Sequence, residues 1–168
     1  QFVQTIRGMQ IASKGLSLPI VSGNVSFYNE TNEKSIPPTP QIGAVGLIND
    51  YRKTVSMSSF NEKNHLFIIG ETIGYLSGSA YERSLLGYKN IKHNSVPPKT
   101  DLNSEVKTSK VILKLINKKL INACHDVSDG GILVSILEMC MAKKIGFHFS
   151  KLSSSHQYFF GEDQGRYI

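Results

Sequence analysis

The sequence predicts a layered α/β fold in which short strands alternate with helices. Apolar runs of strand type recur along the 168 residues, and between them apolar residues return every three or four positions, as on one face of a helix. Hydrophobic residues make up 40% of the chain and charged residues 19%, which is typical of a folded globular protein. No run approaches the roughly 18 to 20 apolar residues of a membrane span, so a membrane protein is not expected.

The first part of the chain is predicted to form a helix followed by two strands. Residues 1–14 have the apolar spacing of a helix, and Gly15 can end it. Short apolar runs predict strands at Leu18–Val21 and at Ile42–Ile48. Between them, residues 24–40 are polar and contain three prolines, which predicts a long loop. A loop of this length between ordered elements is more often functional than idle.

The remaining residues are expected to form a second domain, with a junction near Ser58. A short helix is predicted at Tyr81–Leu86, where Ser79 can cap the start and Gly87 can end it. Longer helices are predicted over residues 102–120 and 132–140. Predicted strands cover residues 65–69, 121–127, 145–149 and 158–160, and a proline-containing linker covers residues 88–100.

Charge and cysteine content narrow the classes of function. The chain carries 19 Lys and Arg against 13 Asp and Glu, a net charge of +6. The adjacent pairs Lys118-Lys119 and Lys143-Lys144 lie near the ends of predicted helices, where cations suit the helix dipole. A mildly basic surface is therefore the simpler interpretation, and a nucleic-acid-binding module is the weaker alternative. Cys124 and Cys140 lack metal-ligand spacing, which favours two buried thiols and a cytoplasmic location.

The segment that follows the first predicted strand is a candidate binding loop. Gly23 allows backbone N–H groups to approach an anion closely. Asn24 offers a neutral oxygen to a hard cation such as Mg²⁺, which prefers oxygen ligands. Ser26 can donate a hydrogen bond to a phosphate or a substrate oxygen. An ordinary turn after a strand is the alternative interpretation.

Two further segments interrupt the pattern of strands and helices. In His125–Gly131, Ser128 or Asp126 can cap the following helix, while Gly130 and Gly131 leave N–H groups uncovered for an anion. A simple helix start with small residues kept for packing explains this segment equally well. Residues 161–166 form a polar turn, which a tight hairpin explains as well as a site does. Motifs of P-loop, dinucleotide-binding and hydrolase sites are absent from the sequence.

Four segments, taken in order, carry a resemblance to a known family: Val21–Thr31, Pro38–Gly43, His125–Gly131 and Phe160–Tyr167. They resemble the family of phosphoribosylformylglycinamidine synthase subunit II (the PurL family), within the aminoimidazole ribonucleotide synthetase (PurM-like) superfamily. The resemblance spans essentially the whole chain. It implies an α+β fold with a mixed sheet and helices packed on it. By the same resemblance, residues 1–57 are the end of the second PurM-like N-terminal, ATP-binding domain, and residues 58–168 are the second PurM-like C-terminal domain, truncated at its C-terminus.

The resemblance also implies an activity. Members of the family are ligases of purine biosynthesis that use ATP and Mg²⁺ to convert formylglycinamide ribonucleotide and glutamine-derived ammonia into formylglycinamidine ribonucleotide. ATP phosphorylates the amide oxygen, and ammonia then displaces the phosphate. The implied partners are a glutaminase subunit and a small bridging subunit, with neither nucleic acid nor membrane involved. A scaffold role, with a structural nucleotide in this half of the protein, is the alternative within the family.

Only a few residue roles carry over from the family. Its Ser-Gly-Asn-Val-Ser motif aligns Gly23 with an ATP contact, Asn24 with a magnesium ligand and Ser26 with a substrate contact. The family's catalytic histidines lie outside this chain, so no catalytic residue is assigned here and the chain alone is expected to be inactive. Ser128, Gly130 and Gly131 are kept as a possible anion site. The segment Leu76–Tyr81 departs from the common Gly-Gly-Ser-Glu-Tyr form, which puts a carboxylate role at Ala80 in doubt.

Overall fold

The computed structural model describes residues 1–36, 39–87, 96–149 and 155–168, which form two compact units, Gln1–Asn49 and Asp50–Ile168. The described helices are α1 (Phe2–Gly15), α2 (Ala80–Leu86), α3 (Leu102–Asn117), α4 (Gly131–Lys143) and α5 (His156–Phe160). The other described elements are a hairpin of β1 (Glu30–Thr31) and β2 (Lys34–Ser35) and a 3₁₀ turn (Tyr51–Lys53). Much of the predicted linker lies outside the described residues. The predicted domain boundary after residue 57 stays a prediction.

The first unit contains the predicted helix but neither predicted strand. Helix α1 ends at Gly15 as predicted, and none of its residues is buried. The runs Leu18–Val21 and Ile42–Ile48 form no strand, so both strand predictions are wrong for this structure. Val21 is 91% exposed and Val45 is 99% exposed. A strand forms only when a neighbouring strand hydrogen-bonds with its backbone N–H and C=O groups. Because these apolar runs have no such neighbour among the described residues, they stay irregular.

The predicted long loop contains a small hairpin. Glu30 pairs with Ser35 and Thr31 with Lys34, in antiparallel register. The two turn residues, Asn32 and Glu33, have φ of 51° and 61°. Two successive residues with positive φ are the mark of a type I′ turn, whose twist suits a two-residue hairpin. The sequence analysis did not predict this hairpin, because a glutamate is uncommon at the second turn position.

The helices of the second unit begin and end close to the predicted positions. Ser79 caps α2 by accepting a hydrogen bond from the Glu82 N–H at 3.1 Å, and Gly87 follows the last turn with φ of 69°. Asp101 caps α3 and accepts from the N–H groups of Ser104 and Asn103. These hydrogen bonds, with Ser104 contributing most, lower the pKa of Asp101. The three helix predictions in this unit are confirmed.

The core of the second unit forms around α4. Its buried cluster consists of Val127, Ile132, Ile136, Met139 and Ile168. Helix α5 packs against α4, and the Phe159 ring meets the Phe149 ring edge-to-face at 5.3 Å. Burial of these apolar side chains provides the main stabilisation of the unit. The polar turn before Ile168 is thereby held against the start of α4.

Several predicted strands of this unit are wrong or reduced to single bridges. Residues 158–160 form α5 instead of a strand, because the Ser155 hydroxyl caps this helix by accepting from the Tyr158 N–H at 3.4 Å. Residues 145–149 form no strand. The two other predicted strands contribute one bridge each, from Ile69 and Asp126, and both bridges pair antiparallel with Tyr167. The arrangement is α+β, as predicted, but the described residues form no larger mixed sheet. None of the described helices has the length and hydropathy needed to cross a membrane.

Candidate functional site

The predicted binding loop lies in the first unit, between α1 and the β1–β2 hairpin. Gly23, Asn24 and Ser26 are all exposed in a segment without regular secondary structure. A Cβ atom built on Gly23 meets nothing within 4 Å. Within the part of the chain that the structure describes, the Asn24 side chain makes no hydrogen bond. The loop therefore presents its backbone and its amide to solvent, and they are not used in internal packing.

Local contacts hold one end of this loop in place. The Ser26 carbonyl accepts a hydrogen bond from the Asn29 side-chain amide at 2.9 Å, and the Asn29 carbonyl accepts from the Ile36 N–H at 3.0 Å. The Phe27 ring meets the Phe2 ring of α1 edge-to-face, with 5.4 Å between ring centroids. These contacts involve residues 26–29, whereas the whole loop, including Phe27 at 76%, remains exposed.

The donor chemistry of this loop suits part of a magnesium site. Mg²⁺ prefers six oxygen ligands and commonly uses one or two side chains together with waters and substrate phosphates. The amide oxygen of Asn24 is a neutral oxygen donor of the type that can supplement carboxylates or phosphates at such a site. Among the described residues, no group of three or more His, Cys, Asp or Glu side chains is arranged to hold a metal ion. Among the described residues, the loop thus presents the Asn24 amide oxygen as a single donor, without a carboxylate or histidine cluster beside it.

The second unit contains a polar cluster around Asp163 that the sequence analysis did not predict. The Asp163 side chain is 6% exposed. Its carboxylate accepts hydrogen bonds from three consecutive backbone N–H groups, those of Ile73, Gly74 and Tyr75, at 3.0, 2.9 and 3.0 Å. Three N–H donors in a row form a concave site for an anion, and here that anion belongs to the chain itself. Asp163 thus fixes the loop that precedes α2.

Arg166 neutralises this buried carboxylate. Its side chain is fully buried, and one guanidinium nitrogen, Nη1, lies 3.5 Å from Asp163 Oδ2. Nε donates to the Asp163 carbonyl at 3.1 Å, and Nη2 donates to the Gly161 carbonyl at 2.5 Å. Burial lowers the pKa of Arg166, while the charge of Asp163 opposes this shift. The cation therefore stabilises the turn by ion pairing and by hydrogen bonds to two carbonyls.

Glu162 connects the starts of two helices. One carboxylate oxygen, Oε1, accepts from the Ala80 N–H at 2.7 Å and from the Gly130 N–H at 2.8 Å. These donors are the first residue of α2 and the N-cap residue of α4. A negative charge is favourable there because free N–H groups and the helix dipole both point towards it. The free N–H groups at these two helix starts are thus satisfied by a side chain from the Gly161–Arg166 turn.

This geometry changes the interpretation of the predicted anion site at Ser128, Gly130 and Gly131. The Gly130 N–H is used by Glu162, and the Gly131 N–H donates to the Ser128 carbonyl at 3.1 Å. Helix α4 has no side-chain cap, so the prediction that Ser128 or Asp126 caps it is wrong. Gly130 takes the N-cap position instead, with φ of 82°. Binding of an external anion by these residues stays a prediction.

Gly131 is required by close packing. Its φ is 74°, and a Cβ atom there would lie 2.7 Å from the carbonyl oxygens of Gly161 and Phe159. Backbone atoms cannot move aside as a flexible side chain can, so only glycine fits this close approach of α4 to the end of α5. The glycine pair at the start of α4 therefore has a packing role in addition to any binding role.

His125 is a partnered histidine next to this region. Its Nε2 atom lies 3.0 Å from Glu138 Oε2, and Nδ1 lies 3.3 Å from Asp126 Oδ1. The predicted buried thiols are only partly buried. Burial raises the pKa of both, and the charge of Asp126 adds to the effect at Cys124. Raised pKa values keep the thiols protonated, so neither thiol is suited to act as a nucleophile.

The fixed loop also forms one wall of an open depression. The depression has a volume of about 460 Å³, and its lining residues are Thr72, Ile73, Gly74, Ser155, Gln157 and Tyr158. Asp163 holds two of these residues, Ile73 and Gly74, by their N–H groups. The only sequence signal for the contact between Asp163 and this loop is the run Glu162-Asp163 close to Arg166. The loop residues lie about 90 positions earlier, so no local pattern links them to Asp163.

A match to a family model gives the class of protein to which this fold belongs, that of the aminoimidazole ribonucleotide (AIR) synthase related proteins. Residues 63–168 match the family model described as "AIR synthase related protein, C-terminal domain". The chain belongs to this family. The sequence-based resemblance to the PurM-like superfamily is confirmed by the match.

Similar proteins extend the match over the whole chain. A protein from Pelagibacter ubique is 46% identical over 171 aligned residues, which cover 100% of this chain and 23% of that protein. A Bradyrhizobium protein is 43% identical, with 100% and 23% covered, and one from Caulobacter vibrioides is 42% identical, with 100% and 22% covered. Each is named phosphoribosylformylglycinamidine synthase subunit PurL. The chain spans just under a quarter of the length of these relatives.

Proposed function

We propose that this chain is a segment of a phosphoribosylformylglycinamidine synthase subunit of the PurL type, a cytoplasmic ligase that forms a C–N bond in purine biosynthesis. The observation that carries the proposal is the similarity at 46% identity along 100% of the chain to a protein of that name. In this proposal, the complete subunit converts formylglycinamide ribonucleotide into formylglycinamidine ribonucleotide with ATP, Mg²⁺ and ammonia.

The proposal assigns each part of the chain to a domain. Residues 1–57 are the end of the second N-terminal, ATP-binding domain, and residues 58–168 are the second C-terminal domain. The exposed apolar runs at Leu18–Val21 and Ile42–Ile48 support this assignment, since both have strand composition and no strand partner among the described residues. In the complete subunit, we expect them to become strands of a mixed sheet.

The binding roles proposed for the exposed loop follow from its chemistry. The backbone at Gly23 contacts ATP, the Asn24 amide oxygen is a magnesium ligand, and Ser26 contacts the substrate. Their exposure, and an Asn24 side chain that makes no hydrogen bond within the described residues, support these roles. Bound Mg²⁺ supplies positive charge that stabilises the phosphates. Loop residues contribute by positioning, which is the main protein contribution to phosphoryl transfer.

The chain alone supplies only part of the proposed site. No catalytic base or nucleophile is assigned to it, and the Glu162 and Asp163 carboxylates are used in backbone hydrogen bonds. We therefore expect no synthase activity from these 168 residues by themselves. In the complete enzyme, a glutaminase subunit supplies ammonia and a small bridging subunit completes the assembly.

The test uses the complete subunit with ammonium chloride as the nitrogen source. We expect Asn24→Ala to raise the Mg²⁺ concentration needed for half-maximal activity by about ten-fold or more, since loss of even an indirect ligand contact costs about that much. Asn24→Asp keeps an oxygen donor and should retain more of the Mg²⁺ affinity than Asn24→Ala. The control is Gln41→Ala, which removes an exposed amide outside the loop.

Two results contradict the proposal. If the wild-type subunit forms no formylglycinamidine ribonucleotide, the assigned reaction is wrong. If Asn24→Ala behaves like Gln41→Ala while a tightly held nucleotide never exchanges during turnover, this half of the subunit is a scaffold and the loop is not part of the reacting site.

A further inference from the structure

Helix α3 packs one of its faces against the rest of the second unit and exposes the opposite face to solvent. On the inner face, Ile112 is 7% exposed and Glu105 accepts a hydrogen bond from the Tyr167 hydroxyl at 3.2 Å. The outer face carries four exposed lysines at intervals of three, four and four residues, Lys107, Lys110, Lys114 and Lys118. Residues at this spacing lie along one side of a helix. We call these four residues the lysine stripe.

The charge of the lysine stripe is not balanced by ion pairs among the described residues. Among the described residues, no ion pair includes a member of the stripe, and the sequence has no acidic residue between Val106 and His125. Asp101 lies close enough to interact electrostatically with Lys107, at the beginning of the stripe. The helix dipole favours Lys114 and Lys118 near the C-terminal end, but it does not account for Lys107 and Lys110.

An exposed apolar side chain lies among the residues of the lysine stripe. Val111 lies on the same face and is 46% exposed, and the lysine side chains around it have long apolar stems. From Lys107 to Lys118 the stripe is about 16 Å long, at 1.5 Å per residue. A helix of about three turns has the same length, so an acidic helix lying against the stripe could place one carboxylate near each lysine.

We propose that the lysine stripe docks an acidic surface on a partner subunit of the same enzyme. The proposal rests on the proposed function, in which the similar proteins are named as a subunit of a synthase. Charge complementarity selects an acidic partner, since a row of lysines that form no ion pair among the described residues attracts carboxylates and repels basic surfaces. A protein partner is favoured over nucleic acid because α3 carries no arginine or aromatic residue with which to contact bases.

The test measures assembly of the complete subunit with its glutaminase and bridging subunits by sedimentation velocity, at 50 and 300 mM NaCl. The double variant Lys110→Glu/Lys114→Glu reverses the centre of the stripe. The matched control, Lys53→Glu/Lys99→Glu, makes the same change in net charge at two exposed lysines outside α3. Ammonia-dependent synthase activity and circular dichroism report whether each variant is folded.

We expect the stripe variant to bind the partner subunits at least ten-fold more weakly at 50 mM NaCl and to lose most of the salt dependence of the wild type. The control should bind within two-fold of the wild type, and both variants should keep their ammonia-dependent activity. The proposal is overturned if the stripe variant assembles as tightly as the wild type, or if the control assembles as weakly as the stripe variant.

A nucleic-acid partner would give a different result, in which the wild type binds labelled polyuridylate, the stripe variant does not, and subunit assembly is unchanged. That result also overturns the proposal. Absence of ammonia-dependent activity in the wild type contradicts the proposed function alone, because the assembly measurement still tests the stripe.

Discussion

Glu162 and Asp163 are adjacent carboxylates that use their oxygens in different ways. Glu162 accepts both of its backbone hydrogen bonds at one oxygen, Oε1. Asp163 uses both oxygens, with the Tyr75 N–H at Oδ1 and the N–H groups of Ile73 and Gly74 at Oδ2. An amide side chain keeps one acceptor oxygen and replaces the other by a donor. The two residues should therefore respond differently to the same chemical change.

Asp163→Asn should destabilise the second unit by about 3–5 kcal/mol, because the buried Arg166 loses its counter-ion and an NH₂ group faces a backbone N–H. Glu162→Gln should cost less than about 1 kcal/mol, since the amide oxygen can take the place of Oε1. Urea denaturation followed by circular dichroism measures both values. Equal destabilisation by the two variants would contradict the hydrogen-bond pattern described here.

The Asp163 cluster also shows what local sequence patterns do not report. The acidic pair and the arginine are visible in the sequence, but the role of Asp163 depends on N–H groups that lie about 90 residues earlier in the chain. In contrast, the exposed loop at Gly23 and Asn24 was predicted from adjacent residues alone. The structure shows that this loop is exposed, and its binding role stays a prediction, whereas a contact between distant segments requires the fold.

At the scale of elements, the predicted helices are confirmed because their signals are local. Ser79 and Gly87 mark both ends of α2 within the segment itself. Strands depend on partners that a sequence window does not contain, and the predicted strands at Leu18–Val21 and Ile42–Ile48 have none among the described residues. The error at residues 158–160 has a different cause, since the Ser155 cap outweighs the β-propensity of three aromatic residues.

Tyr167 connects several of these elements and gives the second unit a dependence on pH. Its backbone pairs with Ile69 on one side and Asp126 on the other, and its hydroxyl donates to Glu105 of α3. Burial, followed by the charge of Glu105 and this hydrogen bond, raises the pKa of Tyr167 to about 12 from the ordinary tyrosine value of 10.0. Between these two values the folded state keeps a proton that the unfolded state loses.

The stability contributed by Tyr167 should therefore be fully present below about pH 10 and fall as the pH rises towards 12. The Tyr167→Phe variant lacks this group, so the difference in unfolding free energy between wild type and variant should shrink over that range. Denaturation at pH 9, 10 and 11 measures it. A difference that stays constant would show that the hydroxyl is not held in its protonated form by the fold.

At the scale of the whole molecule, the two units have unequal amounts of buried structure. The second unit has a buried cluster and matches the family domain over most of its length, while α1 in the first unit has no buried residue. The first unit nevertheless carries the predicted ligand-binding loop. This division agrees with the proposal that the loop works together with other parts of the complete subunit, while the second unit has a core of its own.

The central claim is that Asn24 is a magnesium ligand in the nucleotide site of a purine-biosynthetic synthase. The most direct test is a crystal structure of the complete subunit with ATP or ADP and Mn²⁺ in place of Mg²⁺, in which anomalous scattering locates the metal. We expect a peak at coordination distance from Asn24 Oδ1, about 2.0–2.2 Å away, with nucleotide phosphate beside Gly23. A bound metal and nucleotide with Asn24 outside coordination distance would contradict it.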